Sequence, residues 1–163
     1  MSAVRNTVAD NIQAVVTGGS RGIGAAIAEK LVLDGMDVIV TGVKKDGAGP
    51  KGTEYYPVDF CDRTAIKDFC YLLSKKKVGV LVNNAGINRI SGFNDILLSD
   101  FDDIIDVNLR APFMLCQAVL PEMLNSKWGR IVNITSIFGD VSKAHRALYS
   151  ASKFGLTGLT KAL

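Results

Sequence analysis

Tyr149 and Lys153 stand four residues apart in the stretch Leu148-Tyr149-Ser150-Ala151-Ser152-Lys153. On an α-helix that spacing puts two side chains on one face, so a phenol and an ammonium here can serve the same reacting group. For a phenol to exchange a proton near neutral pH, its anion must be favoured by ~4 kcal/mol, equivalent to ~3 pKa units. One lysine at ~4 Å supplies ~4 kcal/mol at an effective dielectric of ~20, and a second cation such as an oxidised nicotinamide ring adds to it. The chemistry this pair could do is proton transfer to or from a substrate oxygen. A helix can carry YxxxK by accident, so the elements around it decide.

Those elements read as alternating strands and helices. Gln13-Ala14-Val15-Val16-Thr17 is an apolar run that stops at Gly18-Gly19-Ser20-Arg21-Gly22-Ile23-Gly24, after which Ile23, Ala26, Ile27 and Leu31 recur at helical spacing. Strand, glycine turn and helix in this order leave helix N-terminal N–H groups free beside closely approaching backbone, which suits a pyrophosphate. Asp37-Val38-Ile39-Val40-Thr41-Gly42 is a second strand, parallel to the first through the helical connection. An acid near its end would hold the adenosine ribose, but Gly42 and Val43 stand there, followed by Lys44 and Lys45. With Arg21 in the turn, these favour a ribose phosphate, hence NADP(H) over NAD(H). The alternative reading makes the lysines loop charges and Arg21 a surface contact.

Residues 54–60 read as a third strand at a sheet edge, where Pro57 is tolerable. Asp62 caps a helix whose Ile66, Phe69, Cys70 and Leu73 form a buried stripe. Val78-Gly79-Val80-Leu81-Val82 is a central strand ending in Asn83-Asn84-Ala85-Gly86, where small residues admit a ligand and two amides can tie neighbouring loops together. A helix is expected over 99–125, with Ser99 a possible cap and Pro112 interrupting it. Because proline has no N–H, the Asn108 carbonyl is left free to seat a water. A fifth strand over 129–136 carries Ser136 at its carboxyl end, and Tyr149 opens the last helix, on which Ala151, Gly155, Gly158 and Ala162 make a small-residue face.

Composition bounds the rest. At 163 residues, 48% hydrophobic and 21% charged, the chain has the size of one α/β domain with a core. A net charge of +3, with basic and acidic residues interspersed, does not call for nucleic acid. The densest basic run, Lys75-Lys76-Lys77, suits a solvated helix end. No apolar segment reaches the roughly 18 residues that cross a bilayer, and residues 1–10 lack an apolar signal core, so no membrane partner and a cytoplasmic location are expected. Cys61, Cys70 and Cys116 have no CxxC or His pairing and read as reduced packing residues; His145 is the only histidine, and no metal is expected.

Taken together, Thr17-Gly18-Gly19-Ser20-Arg21-Gly22-Ile23-Gly24, Asn83-Asn84-Ala85-Gly86, Asn108, Ser136 and Tyr149-Ser150-Ala151-Ser152-Lys153 resemble the short-chain dehydrogenase/reductase family. The motifs occur in the family's order, and the likeness is strongest to its 3-oxoacyl-(acyl carrier protein) reductases. The resemblance implies one Rossmann-like, doubly wound parallel sheet over 1–163, with strand order 3-2-1-4-5. It implies Tyr149 as general acid or base, Lys153 on the nicotinamide ribose and easing the tyrosine's proton away, Ser136 on the substrate oxygen, and Asn108 holding a water between Lys153 and solvent. It also implies Gly18, Ser20, Arg21, Gly22, Ile23, Gly24, Lys44, Asp59, Asn84, Ala85 and Gly86 around the cofactor, with Asp59 on the adenine. The expected substrate is a small-molecule or acyl-thioester carbonyl, and a homo-oligomer is expected through the helix around 113–123 and the last helix. The family pattern continues past Leu163 with two further strands, a substrate loop and a helix, so the fold is expected to lack its last strands. A catalytically inactive nucleotide-binding or chain-pairing remnant is the alternative to an active oxidoreductase.

Overall fold

Five strands alternate with helices in a computed structural model that describes residues 12–163; the expectation drawn from residues 1–10 lies outside them. The strands are β1 (Gln13–Val16), β2 (Asp37–Gly42), β3 (Thr53–Pro57), β4 (Val78–Asn83) and β5 (Arg130–Asn133). The helices are α1 (Gly22–Leu33), α2 (Arg63–Ser74), α3 (Leu98–Ile105), α4 (Ala111–Asn125) and α5 (Ala147–Ala162), with a π turn over Asp106–Arg110 between α3 and α4. All strand pairs are parallel and the order is β3-β2-β1-β4-β5, as expected.

Successive side chains of a strand point to opposite faces, and here both faces are covered. Val15, Ile39 and Leu81 pack on one side with Ile66, Phe69 and Leu73 of α2 and Leu115 and Val119 of α4. Ala14, Val16, Val38, Val40, Val80 and Val82 pack on the other with Ala28, Ile27 and Leu31 of α1. That is why the central strands read as continuous apolar runs. At about 1.5–3 kcal/mol for each large side chain buried, these two layers hold the sheet together.

The Asp62 carboxylate accepts from the N–H groups of Thr64 and Ala65 at 2.8 and 3.3 Å, as the capping expectation requires. Lys75 follows the last turn of α2 and lies over the Tyr71 ring, with its neighbour Lys76 beside Glu54. Among the described residues no helix is long and apolar enough to cross a membrane.

Several boundaries differ from the sequence expectation. The third strand ends at Pro57 rather than 60: Val58 N–H still donates to Gly42 O at 2.8 Å, and the chain then turns, with Asp62 N–H donating to Asp59 O. The fifth strand spans four residues rather than 129–136: Ile134 N–H still donates to Asn83 O at 2.9 Å, but the Ile134 carbonyl accepts from Lys153 of α5. Ser99 is not a cap, since α3 begins at Leu98 and no side chain caps it. Tyr149 lies in the first turn of α5, which opens two residues earlier at Ala147. The interruption near Pro112 is a change of helical register. Ala111 N–H donates five residues back to Asp106 O, and Pro112, lacking a donor, sits where the α register resumes.

Candidate active site

The glycine turn forms the floor of a cleft of about 510 Å³ above the carboxyl ends of β1, β2 and β4. Gly18 adopts φ +62°, a left-handed conformation that glycine takes without cost. Gly24 brings α1 close to β4: a Cβ there would lie 2.5 Å from both the Asn84 side-chain nitrogen and Gly18 O. No side chain caps α1, whose N-cap is Arg21, so its first N–H groups remain available at the cleft. Ile23 stays 67% exposed because it faces this cleft rather than the core.

Thr17 and Asn84 stitch the two strand ends into one surface. The Thr17 hydroxyl accepts from the N–H groups of Asn84 and Ala85 at 3.0 Å each, while Asn84 Nδ2 donates to Thr17 O and Gly18 O at 2.9 and 3.2 Å. The Thr41 hydroxyl accepts from Gly18 N–H at 3.1 Å, tying β2 to the turn. Asn83 donates to Asn133 Oδ1 at 2.8 Å, so the second amide links β4 to β5. The expectation that two amides tie the loops together is met, but the roles of Thr17 and Thr41 were not foreseen. Their only sequence signal is a hydroxyl residue at the end of an apolar run.

Of the residues expected around a cofactor, Gly18, Ser20, Arg21, Gly22, Ile23, Gly24, Asp59, Asn84, Ala85 and Gly86 all line the cleft. Lys44 does not. Its neighbour Val43 lines the wall, whereas Lys44 is exposed beyond it with its carbonyl accepting from Tyr55 Oη at 2.7 Å. The wall also contains Cys61, where burial first and the nearby Asp59 and Asp103 second push the thiol up to about 11. Cys61 is therefore a neutral thiol at pH 7, without nucleophilic character.

Tyr149 and Lys153 sit beside this cleft. Lys153 Nζ lies 5.8 Å from the centre of the Tyr149 ring, so the two side chains share a face of α5 as their spacing requires. Lys153 is 3% exposed, donates to Ile134 O at 2.7 Å, and forms no ion pair within the described residues. Burial lowers its pKa from the usual 10.5. Gly86 joins the two halves: a Cβ on it would lie 3.7 Å from Lys153 Nζ and 3.4 Å from Asn108 Oδ1.

Asn108 is fully buried and its amide is committed to protein partners. Oδ1 accepts from Ile87 N–H at 2.8 Å, and Nδ2 donates to Ile87 O at 2.9 Å and Ser152 Oγ at 3.0 Å. Ser152 in turn donates to Tyr149 O at 2.7 Å, so the amide clamps the loop after β4 to the start of α5. Arg89 fastens the far side of that loop to α3 through Asp100 and Asp103, at 3.1 and 2.7 Å. Ser136 Oγ accepts from Phe138 N–H at 3.2 Å, and Phe138 packs edge-on against Tyr149 with ring centres 6.3 Å apart. Among the described residues no hydrogen bond joins Ser136 to Tyr149; Phe138 of the turn at 137–139 touches both. Ser152 and Ile134 were not foreseen as supports, because each acts through a contact that sequence spacing does not reveal.

A doubly wound parallel sheet with an uncapped helix at a glycine turn, and a tyrosine–lysine pair beside it, defines a Rossmann-like nucleotide-site architecture. The sequence model of the short chain dehydrogenase family matches residues 13–163, and the chain belongs to that family. It is 38% identical over 154 residues to the 3-oxoacyl-(acyl-carrier-protein) reductase FabG of Rickettsia bellii, covering 92% of this chain and 64% of the relative. It is also 35% identical over 161 residues to a D-beta-hydroxybutyrate dehydrogenase of Rhizobium meliloti, covering 91% of this chain and 62% of that protein. Thus it spans somewhat under two thirds of the length of these relatives. The crystal structure of a metagenomic short-chain oxidoreductase in complex with NADP superposes with a TM-score of 0.82 at 37% identity, over 93% of this chain and 74% of that one. A short-chain dehydrogenase from Streptomyces avermitilis gives 0.85 at 32% identity, over 94% and 59%.

Proposed function

We propose that the chain carries the nucleotide site and proton-transfer group of an NADP(H)-dependent oxidoreductase that interconverts a carbonyl and a secondary alcohol. The observation that carries this reading is the buried Lys153 ammonium, fixed by Ile134 O beside both the Tyr149 ring and Gly86 of the cleft. The uncapped N-terminus of α1 and the glycine floor fit a pyrophosphate, and Arg21 at the wall favours a phosphorylated ribose. Lys44, next to Val43 of the cleft wall, adds positive charge on the same side.

When bound, the nicotinamide cofactor supplies or accepts the hydride. In the reducing direction Tyr149 gives its phenolic proton to the substrate oxygen as carbon becomes a secondary alcohol, and solvent returns a proton to the phenolate. Lys153 stabilises that anion from a buried site where solvent screening is reduced. Ser136 is the hydrogen-bond donor to the substrate oxygen, and Asn108 holds the Ile87 loop against α5, with a water seated at its main-chain carbonyl. Acyl thioesters of 3-oxo acids are the substrate class suggested by the FabG relative, and small ketones the control.

NADPH oxidation by the purified chain with acetoacetyl thioesters, alongside NADPH binding followed by fluorescence, tests the proposal. Tyr149→Phe should lower turnover by at least ~10², the scale of general acid catalysis, while leaving NADPH binding intact. A Tyr149→Phe protein as active as wild type would exclude the mechanism. Binding without turnover in the wild type would select a nucleotide-binding role instead.

A further inference from the structure

Arg63, Asp106 and Arg110 form a charged cluster that none of the chemistry above uses. Asp106 is 3% exposed and opens the π turn; its Oδ2 accepts from Arg63 Nε at 2.7 Å and its Oδ1 from Arg110 Nε at 2.5 Å. Arg63 reaches it from the first turn of α2, with Asp102 a further 4.0 Å neighbour of the same guanidinium. Burial pushes the Asp106 carboxyl up, but the hydrogen bonds and charges of the two arginines outweigh it and hold the group below its usual 3.8. Both oxygens are thus engaged by guanidinium groups, Oδ2 by Arg63 of α2 and Oδ1 by Arg110 of the turn itself.

On the other side of the same turn Asn108 holds Ile87 and Ser152, and between them Val107 lines the cleft. A π turn adds a residue to the helical circuit and has fewer favourable contacts than an α turn, so it persists only where the surroundings impose it. Among the described residues, the Asp106 carboxylate is the one group of the turn tied by charge to another element. We propose that Arg63 and Asp106 are positioning residues: their ion pair sets the rotation of the π turn, and so the seat from which Asn108 holds the Ile87 loop and the Tyr149 end of α5. This rests on the oxidoreductase reading only for its effect on turnover; the structural coupling stands apart from it.

Arg63 is half exposed, so its side chain can be removed without opening the core. Arg63→Ala, Arg63→Lys and Asp106→Asn are compared with wild type by amide hydrogen exchange and by steady-state kinetics. In Arg63→Ala the Ile87 N–H, which donates to Asn108 Oδ1, should exchange about tenfold faster, while the Leu81 and Val15 amides of the sheet keep their wild-type rates. Turnover should fall about tenfold, since displacement by ~1 Å can cost ~10², with the NADPH KM held within about threefold. Arg63→Lys should restore at least half of both effects, and Asp106→Asn should resemble Arg63→Ala. Unchanged Ile87 exchange overturns the proposal, as does a uniform rise across all amides, which marks simple destabilisation. If the wild-type chain turns nothing over, the functional reading fails while the Ile87 measurement still decides the coupling.

Discussion

Replacing Lys153 by methionine removes one charge from the site while nearly preserving side-chain length, and the structure sets the size of the effect. The ammonium lies 5.8 Å from the Tyr149 ring centre. At about 6 Å and an effective dielectric of ~20, a unit charge steadies a phenolate by about 3 kcal/mol, or about 10² in turnover. Stability responds differently. Burial already disfavours the charged form of Lys153, so its removal is a gain, whereas the Ile134 carbonyl loses its partner at a cost of about 1–3 kcal/mol. These terms oppose, and the melting temperature should stay within about 4 °C of wild type.

The assay is turnover at saturating NADPH and substrate, with thermal unfolding measured on the same samples. Retention of turnover within about threefold of wild type, a difference below ~1 kcal/mol, would refute the electrostatic argument. The pH dependence gives a second check. Because burial lowers the Lys153 pKa below 10.5, the ammonium is lost sooner than that of a free lysine, so wild-type turnover should decline on the alkaline side before pH 10.5. Over the same window the unfolded chain binds more protons at this position than the native one, so wild type should gain stability with rising pH relative to Lys153→Met.

Arg21→Ala should raise the KM for NADPH by about 10–100-fold, the scale of lost charge-assisted hydrogen bonds, and leave that for NADH nearly unchanged; equal effects on both would remove the ribose phosphate from the argument. Self-association is expected through α4 and α5, where Phe113 and Phe154 are 44% and 46% exposed and a Cβ on Gly158 would meet nothing within 4 Å. A monodisperse monomer in light scattering at micromolar concentration would reject it.

The apolar run at 78–82 already implied a central strand buried on both faces, because a strand with helices on each side has no polar face to show. Likewise the parallel pairing of the first two strands followed from the helical connection between them, the Asp62 cap from a carboxylate ahead of an amphipathic run, and the shared face of Tyr149 and Lys153 from a spacing of four. Each depends on residues close in sequence; the strand order came from the family resemblance. At Lys44 the sequence offered a basic residue just past β2, while only packing shows that its main-chain carbonyl accepts from Tyr55, eleven positions away. The π turn was equally hidden, since its charged anchor reaches from Arg63 to Asp106 across forty-three positions. So were the burial of Lys153 and its hold on Ile134 O, nineteen residues away. Sequence alone determined which groups the protein has and which helical face they share. Tertiary packing decided which of them lose water and acquire fixed partners, because desolvation and hydrogen-bond direction arise only when distant segments close around them.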